Sequence, residues 1–180
     1  MSAAAGVSAL TLLPFSGCSS NSSSKKNFIF AKEEKRILSA VQEHLLPHEE
    51  NSPGAKDINA ANYLEMVLNQ PGFDPEIRDF IVDGLNRLIR YTKENQQPQF
   101  EKMDPQEREN TLNALQELNW GQSWTSLILL YIFEALLSDP VYGGNPNGIG
   151  WTWLEHTPGL PRPLKSTRYG ALVRKENVKL

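Results

Sequence analysis

The chain has 180 residues, of which 39% are hydrophobic and 22% are charged, values typical of a single globular domain. Its formal net charge of -3 and its pI near 5.7 exclude a general electrostatic attraction to nucleic acid. The single cysteine, Cys18, excludes an intrachain disulfide and a cysteine cluster for a metal. No stretch of the sequence contains the roughly 20 consecutive apolar residues that a membrane-spanning helix needs.

Residues 1–18 are typical of an export signal. They contain a short run of small apolar residues at 3–13, and a polar tract follows them. The residues FSGC at 15–18 are similar to the lipobox of bacterial lipoproteins, which makes Cys18 a lipidation candidate. The alternative is that Cys18 is only a small residue near an ordinary cleavage site. No charged side chain precedes Lys25, so we expect the true start to lie upstream, with the arginine pair of a twin-arginine signal and export to the periplasm.

A Ser/Asn/Lys-rich segment at 19–30 is predicted to be a flexible tether. Apolar residues at helical spacing then predict a compact all-α bundle of about five helices. The first helix should end at Pro47, and the others should begin at Asp57, Asp74, Asp104 and Ser123, each of which is a residue type that caps helix N-termini.

The predicted fifth helix is apolar around most of its circumference, from Trp124 to Leu137. A helix with this pattern normally lies at the centre of a bundle. Strand-like alternation of apolar and polar residues is rare in the chain, so no β-sheet is expected. The helical domain is therefore placed at 31–163.

Residues 138–163, at the end of this domain, alternate glycines with prolines and contain two tryptophans, Trp151 and Trp153. This composition excludes a regular helix or strand but is too aromatic for a solvated linker. We expect a long ordered loop, a type that is usually functional, in which an extended Trp151–Trp153 segment directs one ring inward and one outward. Residues 164–180 are predicted to form a frayed basic tail.

The chain contains few groups that suggest catalysis. His44 and His48 have a spacing that zinc ligands use, but Pro47 lies between them and no third ligand is evident. His156 lies beside Glu155 in the loop, which suggests general acid–base chemistry without a candidate nucleophile. No glycine-rich nucleotide signature is present.

Several motifs are similar to those of the gluconate 2-dehydrogenase subunit 3 family. They are DPVYGGN at 139–145, GW at 150–151, PG at 158–159, and, upstream, LP at 46–47 and PGA at 53–55. The resemblance covers essentially the whole chain after the export signal.

This resemblance implies a small, non-catalytic accessory subunit, with no cofactor of its own, that binds, stabilises and assists export of a large FAD-dependent dehydrogenase. That partner would be a sugar or polyol dehydrogenase of the glucose–methanol–choline type, and a cytochrome with haem c would complete the periplasmic complex. The interface with the partner is expected in the loop. The residues assigned to it are Asp139, Pro140, Tyr142, Gly143, Gly144, Asn145, Gly150, Trp151 and Trp153.

Two alternatives remain open from the sequence. One is a stand-alone periplasmic lipoprotein anchored through Cys18. The other is a small enzyme or metal protein that uses His156, Glu155 and Asp139.

Overall fold

A computed structural model describes residues 28–176, with side chains through residue 172. Within this part the chain forms seven α-helices, joined by loops and short 3₁₀ turns, and no strand. The predicted all-α class is confirmed. The predictions for the export signal, the start of the chain and Cys18 concern residues outside the described part. The helices are α1 (Lys32–Leu45), α2 (Ala60–Leu68), α3 (Pro75–Glu94), α4 (Pro105–Gln116), α5 (Gly121–Leu137), α6 (Ile149–Trp153) and α7 (Tyr169–Glu176).

Helix α5 lies at the centre of the bundle, as its apolar pattern predicts, and packs against α1, α2, α3, α4 and α6. Its Trp124 is fully buried, and the Trp124 indole Nε1 donates a hydrogen bond to the Ile81 carbonyl at 3.0 Å. The indole lies so close to Gly84 of α3 that a Cβ at this glycine would overlap the ring. The absence of a side chain at Gly84 therefore sets how closely α3 approaches α5.

The predicted N-caps of α3 and α4 are confirmed. The Asp74 carboxylate accepts a hydrogen bond from the Glu76 N–H at 2.8 Å. Asp104 accepts one from the Glu107 N–H at 2.8 Å, and the Glu107 carboxylate accepts one in return from the Asp104 N–H at 2.9 Å. Such reciprocal capping satisfies two backbone donors that a helix N-terminus would otherwise leave unpaired.

Two other predicted helix starts are wrong. The Asp57 carboxylate accepts from the Gly54 N–H at 2.8 Å instead of capping, and α2 begins only after Asn59, which has a left-handed backbone with φ 59°. Helix α5 begins at Gly121, two residues before Ser123. A Cβ at Gly121 would overlap the Leu115 carbonyl, so the glycine permits the tight connection from α4 that starts α5 early.

The segments on either side of the bundle are more ordered than predicted. The loop contains helix α6, and the predicted frayed tail contains α7. At the other end, Phe28 and Phe30 were assigned to the tether, but Phe30 is buried and the Phe28 backbone exchanges two hydrogen bonds with the Asn69 side chain, at 2.7 and 2.8 Å. The packed body therefore includes Phe28 and Phe30.

Among the described helices, none combines the length and the apolar character needed to cross a bilayer.

Candidate functional site

The loop begins at the C-terminus of α5 with Asp139, whose carboxylate binds two segments. One oxygen accepts a hydrogen bond from the Val141 N–H at 3.0 Å and caps the 3₁₀ turn Pro140–Tyr142. The other accepts from Arg162 Nε at 2.9 Å. Partial burial raises the pKa of Asp139, but the hydrogen bonds from Arg162 and Val141 and the Arg162 charge outweigh it, so the pKa lies below its usual range.

Asn145 holds the middle of the loop and is completely buried. Its Nδ2 donates to the Ser138 carbonyl at 3.0 Å, and its Oδ1 accepts from the Gly150 N–H at 2.7 Å. The Asn145 backbone N–H donates to the Ile58 carbonyl at 3.0 Å. This residue thus joins the end of α5, the start of α6 and the segment before α2, and it does so in the left-handed region with φ 47°.

Two loop glycines are required because the backbone lies against α5. A Cβ at Gly144 would approach the Ala135 carbonyl oxygen to 2.8 Å, and a Cβ at Gly150 would overlap the Leu136 carbonyl. Gly143 is exposed and has φ 91°, a conformation that residues with a side chain rarely adopt. The glycines of the DPVYGGN and GW motifs therefore let this loop pack closely against the last turn of α5.

The two loop tryptophans occupy opposite environments. Trp151 is only 8% exposed, and its Nε1 donates to the Leu137 carbonyl at 2.8 Å. The Arg162 guanidinium lies 4.9 Å from the centre of the Trp151 ring, a cation–π distance. Trp153 is 40% exposed. One ring faces inward and one outward as expected, but both belong to helix α6 rather than to an extended segment.

The structure separates the residues assigned to the partner interface into two groups. Four are buried and fix the shape of the loop: Gly144, Asn145, Gly150 and Trp151. The other five keep a solvent-accessible surface: Asp139, Pro140, Tyr142, Gly143 and Trp153. Only the second group is available for direct contact with another molecule in this conformation.

The residues named for catalysis or metal binding do not converge on one site. The Nε2 atom of His44 lies 2.9 Å from Glu109, whereas Nδ1 of His48 lies 2.7 Å from Asp57. His156 and Glu155 are exposed, and the carboxylate of Asp139 is already bound by Arg162. Within residues 28–172 no three His, Cys, Asp or Glu side chains form a group that could hold a metal ion.

The sequence reasoning missed an exposed apolar surface on α5, which we call the α5 stripe. Its residues Leu130, Phe133 and Leu137 are 50%, 46% and 53% exposed. Their spacing of three and four residues places them on one face of the helix. The same spacing is visible in the sequence, but it was hidden within a helix that is apolar on most of its circumference.

Comparison with known proteins decides the family. Residues 32–159 match the family described as gluconate 2-dehydrogenase subunit 3. The chain belongs to this family. The match extends from the first residue of α1 to beyond α6, so it includes the bundle and most of the loop. No curated protein and no solved structure matches the chain.

Membership in the subunit 3 family makes this chain a relative of one subunit of a dehydrogenase complex. It also implies a dehydrogenase as partner.

Proposed function

We propose that this subunit 3 protein is a non-catalytic accessory subunit that binds and stabilises a large flavin-dependent dehydrogenase of the glucose–methanol–choline type. The family match over residues 32–159 is the observation that carries this proposal. The partner would hold the FAD and oxidise a sugar or polyol, and a cytochrome with haem c would accept the electrons. The complex would act in the periplasm, and the small subunit would assist export of its folded partner by the twin-arginine route.

The α5 stripe supports a protein-binding role. Three large apolar side chains on one exposed helix face form the type of surface that another protein covers. Leu137, at the end of the stripe, is also the residue whose carbonyl accepts the Trp151 indole hydrogen bond. The stripe therefore adjoins the rigid loop, and the two can present one continuous surface to the dehydrogenase.

The buried loop residues have an indirect role in this proposal. Asn145 and Trp151 fix the end of α5 and thereby the position of Leu137, while Trp153 and Phe133 supply exposed aromatic area. Exposed aromatic side chains on a rigid support are typical centres of binding energy at protein interfaces.

The proposal is tested by co-expressing the chain with a flavin-dependent dehydrogenase of the glucose–methanol–choline type from the same genome and measuring co-purification. Phe133→Asp should abolish co-purification and lower the yield of active dehydrogenase, because it places a charge in the centre of the apolar contact. Asn86→Asp, at an exposed position of α3 and so outside the stripe, serves as the control for an added charge and should leave the complex intact. Thermal unfolding of both variants checks that each chain is folded, so that a loss of co-purification is assigned to the lost contact and not to unfolding.

Two results would contradict this function. One is a Phe133→Asp chain that co-purifies as well as the Asn86→Asp control. The other is substrate turnover by the isolated chain, which would favour the alternative of a small enzyme that uses His156 and Glu155.

A further inference from the structure

A cavity of about 350 Å³ lies beside the loop, between α2, the C-terminal half of α5, the turn Pro140–Tyr142 and the start of α7. Its volume is at the lower end of the range for small-molecule sites. The side chains that line it are Tyr63, Met66, Val67, Gln70, Glu134, Ser138, Asp139, Tyr142 and Tyr169. This set contains three tyrosines and two carboxylates, but no lysine, arginine or histidine.

One of the two carboxylates is already neutralised and the other is not. Asp139 forms an ion pair with Arg162 at 2.9 Å. Glu134 forms no ion pair with any side chain in the described part of the chain, and its carboxylate accepts a hydrogen bond from the Tyr63 hydroxyl at 3.4 Å. Burial raises the pKa of Glu134, with the Tyr63 hydrogen bond as a smaller opposing effect. The Glu134 carboxylate therefore lacks a positive partner within the described residues.

The other polar lining groups also favour a positively charged ligand. The side-chain oxygen of Gln70 is buried and accepts no hydrogen bond from any described residue. Tyrosine rings attract cations through the negative potential above their faces, and this attraction strengthens when the cation leaves water. Burial and the nearby Glu134 raise the pKa of Tyr63, so its phenol stays neutral. Every feature of the lining is thus neutral, electron-rich or negative.

We propose that this cavity binds a small organic cation, and specifically an alkylammonium group of the choline type, between the three tyrosine rings and Glu134. The proposal rests on the composition and volume of the cavity and is independent of the proposed accessory function. A quaternary ammonium fits better than an inorganic ion because the apolar side chains of Met66 and Val67 complete the lining.

The test measures ligand binding to the full chain by titration calorimetry at pH 8. It compares choline with 3,3-dimethylbutan-1-ol, the uncharged isostere in which a carbon replaces the quaternary nitrogen. Choline should bind saturably and about tenfold more tightly than the isostere, because the two differ only in the charge that the rings and the carboxylate recognise. Equal binding of the two would show an apolar cavity without cation selectivity and would overturn the proposal. So would the absence of saturable choline binding at millimolar concentrations.

Variants locate the site. Glu134→Gln keeps the size of the side chain but removes its charge, and should weaken choline binding about tenfold while leaving the weak isostere binding unchanged. Tyr169→Leu removes one ring at the mouth of the cavity and should weaken choline binding about fivefold. Glu117→Gln, an exposed carboxylate at the end of α4, is the matched control and should bind like the unchanged chain.

These variants also separate this inference from the proposed function. Loss of choline binding in Glu134→Gln with intact dehydrogenase co-purification would support the cavity alone. Unchanged choline binding in both Glu134→Gln and Tyr169→Leu would overturn the cavity assignment whatever the outcome of co-purification.

Discussion

Asn145 is the residue on which the conformation of the loop depends most. Its side chain supplies one acceptor and one donor to backbone groups of Gly150 and Ser138, in an interior position without solvent contact. Removing it leaves both backbone groups unsatisfied, and each such group costs about 1–3 kcal/mol. Asparagine is also one of the few residues that tolerates the left-handed backbone found here.

Replacing Asn145 by glycine should lower the free energy of unfolding by about 2–4 kcal/mol, because both side-chain hydrogen bonds are lost while the backbone conformation stays accessible. Asn147→Gly is the matched control, since Asn147 also has a left-handed backbone, with φ 57°, but is exposed. It should change stability by less than about 0.5 kcal/mol. Urea unfolding of the three proteins measures the difference; equal stability of the two variants would show that the Asn145 bonds contribute nothing.

Glu134 makes stability depend on pH in a direction opposite to most carboxyl groups. Burial raises its pKa above the ordinary value of 4.5, so the folded protein retains a proton that the unfolded chain releases. As the pH rises through this window, stability contributed by the protonated carboxyl is lost. The glutamine in Glu134→Gln does not titrate. We therefore expect the variant to have no higher free energy of unfolding than the unchanged chain below pH 4.5, and an increasingly higher one as the pH rises. Thermal unfolding across this pH range checks the sign; an advantage that shrinks with rising pH would contradict it.

At the residue scale, the sequence indicated which loop positions matter but not what they do. The glycines and Trp151 were expected to face a partner, whereas Gly144 and Gly150 are small because α5 lies against them and Trp151 is buried by Arg162 and the end of α5. A segment rich in glycine and tryptophan can be either a protein interface or a tightly packed loop, so its composition does not distinguish the two. The close approach of α5 to Gly144 and Gly150 is what identifies this segment as a tightly packed loop.

At the scale of helices, the close crossing of α3 and α5 depends on Gly84. An alanine there would gain about 1 kcal/mol of helix propensity but would overlap the Trp124 indole. We expect Gly84→Ala to destabilise the protein by about 1–3 kcal/mol, the usual cost of overpacking a core. Asn86→Ala, at an exposed position of the same helix, should be neutral or stabilising by up to about 0.7 kcal/mol. Denaturant midpoints decide the sign, and a stabilised Gly84→Ala would show that α3 can shift at no cost.

The helices that the sequence predicted well carry their own signals. Helices α3 and α4 have aspartate caps followed by proline, and α5 has a long apolar run, all of which are local features. Helices α6 and α7 are short, and segments of this length are not stable helices alone. Asn145 accepts a hydrogen bond from the first turn of α6, and Gly170 in α7 lies against Gln70, which follows α2. These are tertiary contacts, which cannot be predicted from the local sequence of either helix.

At the scale of the whole molecule, the residues that fix the conformation of the loop are different from the residues that are exposed for contact with a partner. Within the DPVYGGN motif, Gly144 and Asn145 are buried and close the end of the bundle, while the α5 stripe and Trp153 are exposed. The cavity lined by Glu134 lies on the α2 and α7 side of the same loop. One rigid element can therefore position both a protein-binding surface and a small-molecule site without either being built from the same exposed residues.

The ion pair between Asp139 and Arg162 turns the loop into a non-covalent ring. Arg162 also lies over the Trp151 ring, and Trp151 in the middle of the loop is hydrogen-bonded to the end of α5. A protease that cuts in the exposed stretch at 154–157 would therefore open the ring without releasing either end. The nicked chain should migrate as one species under native conditions and as two fragments in denaturant, whereas nicked Arg162→Ala should lose its C-terminal fragment during native gel filtration. Retention of that fragment by the variant would show that other contacts, such as the Arg168 hydrogen bond to the Val141 carbonyl at 3.2 Å, are enough to hold the C-terminal segment in place.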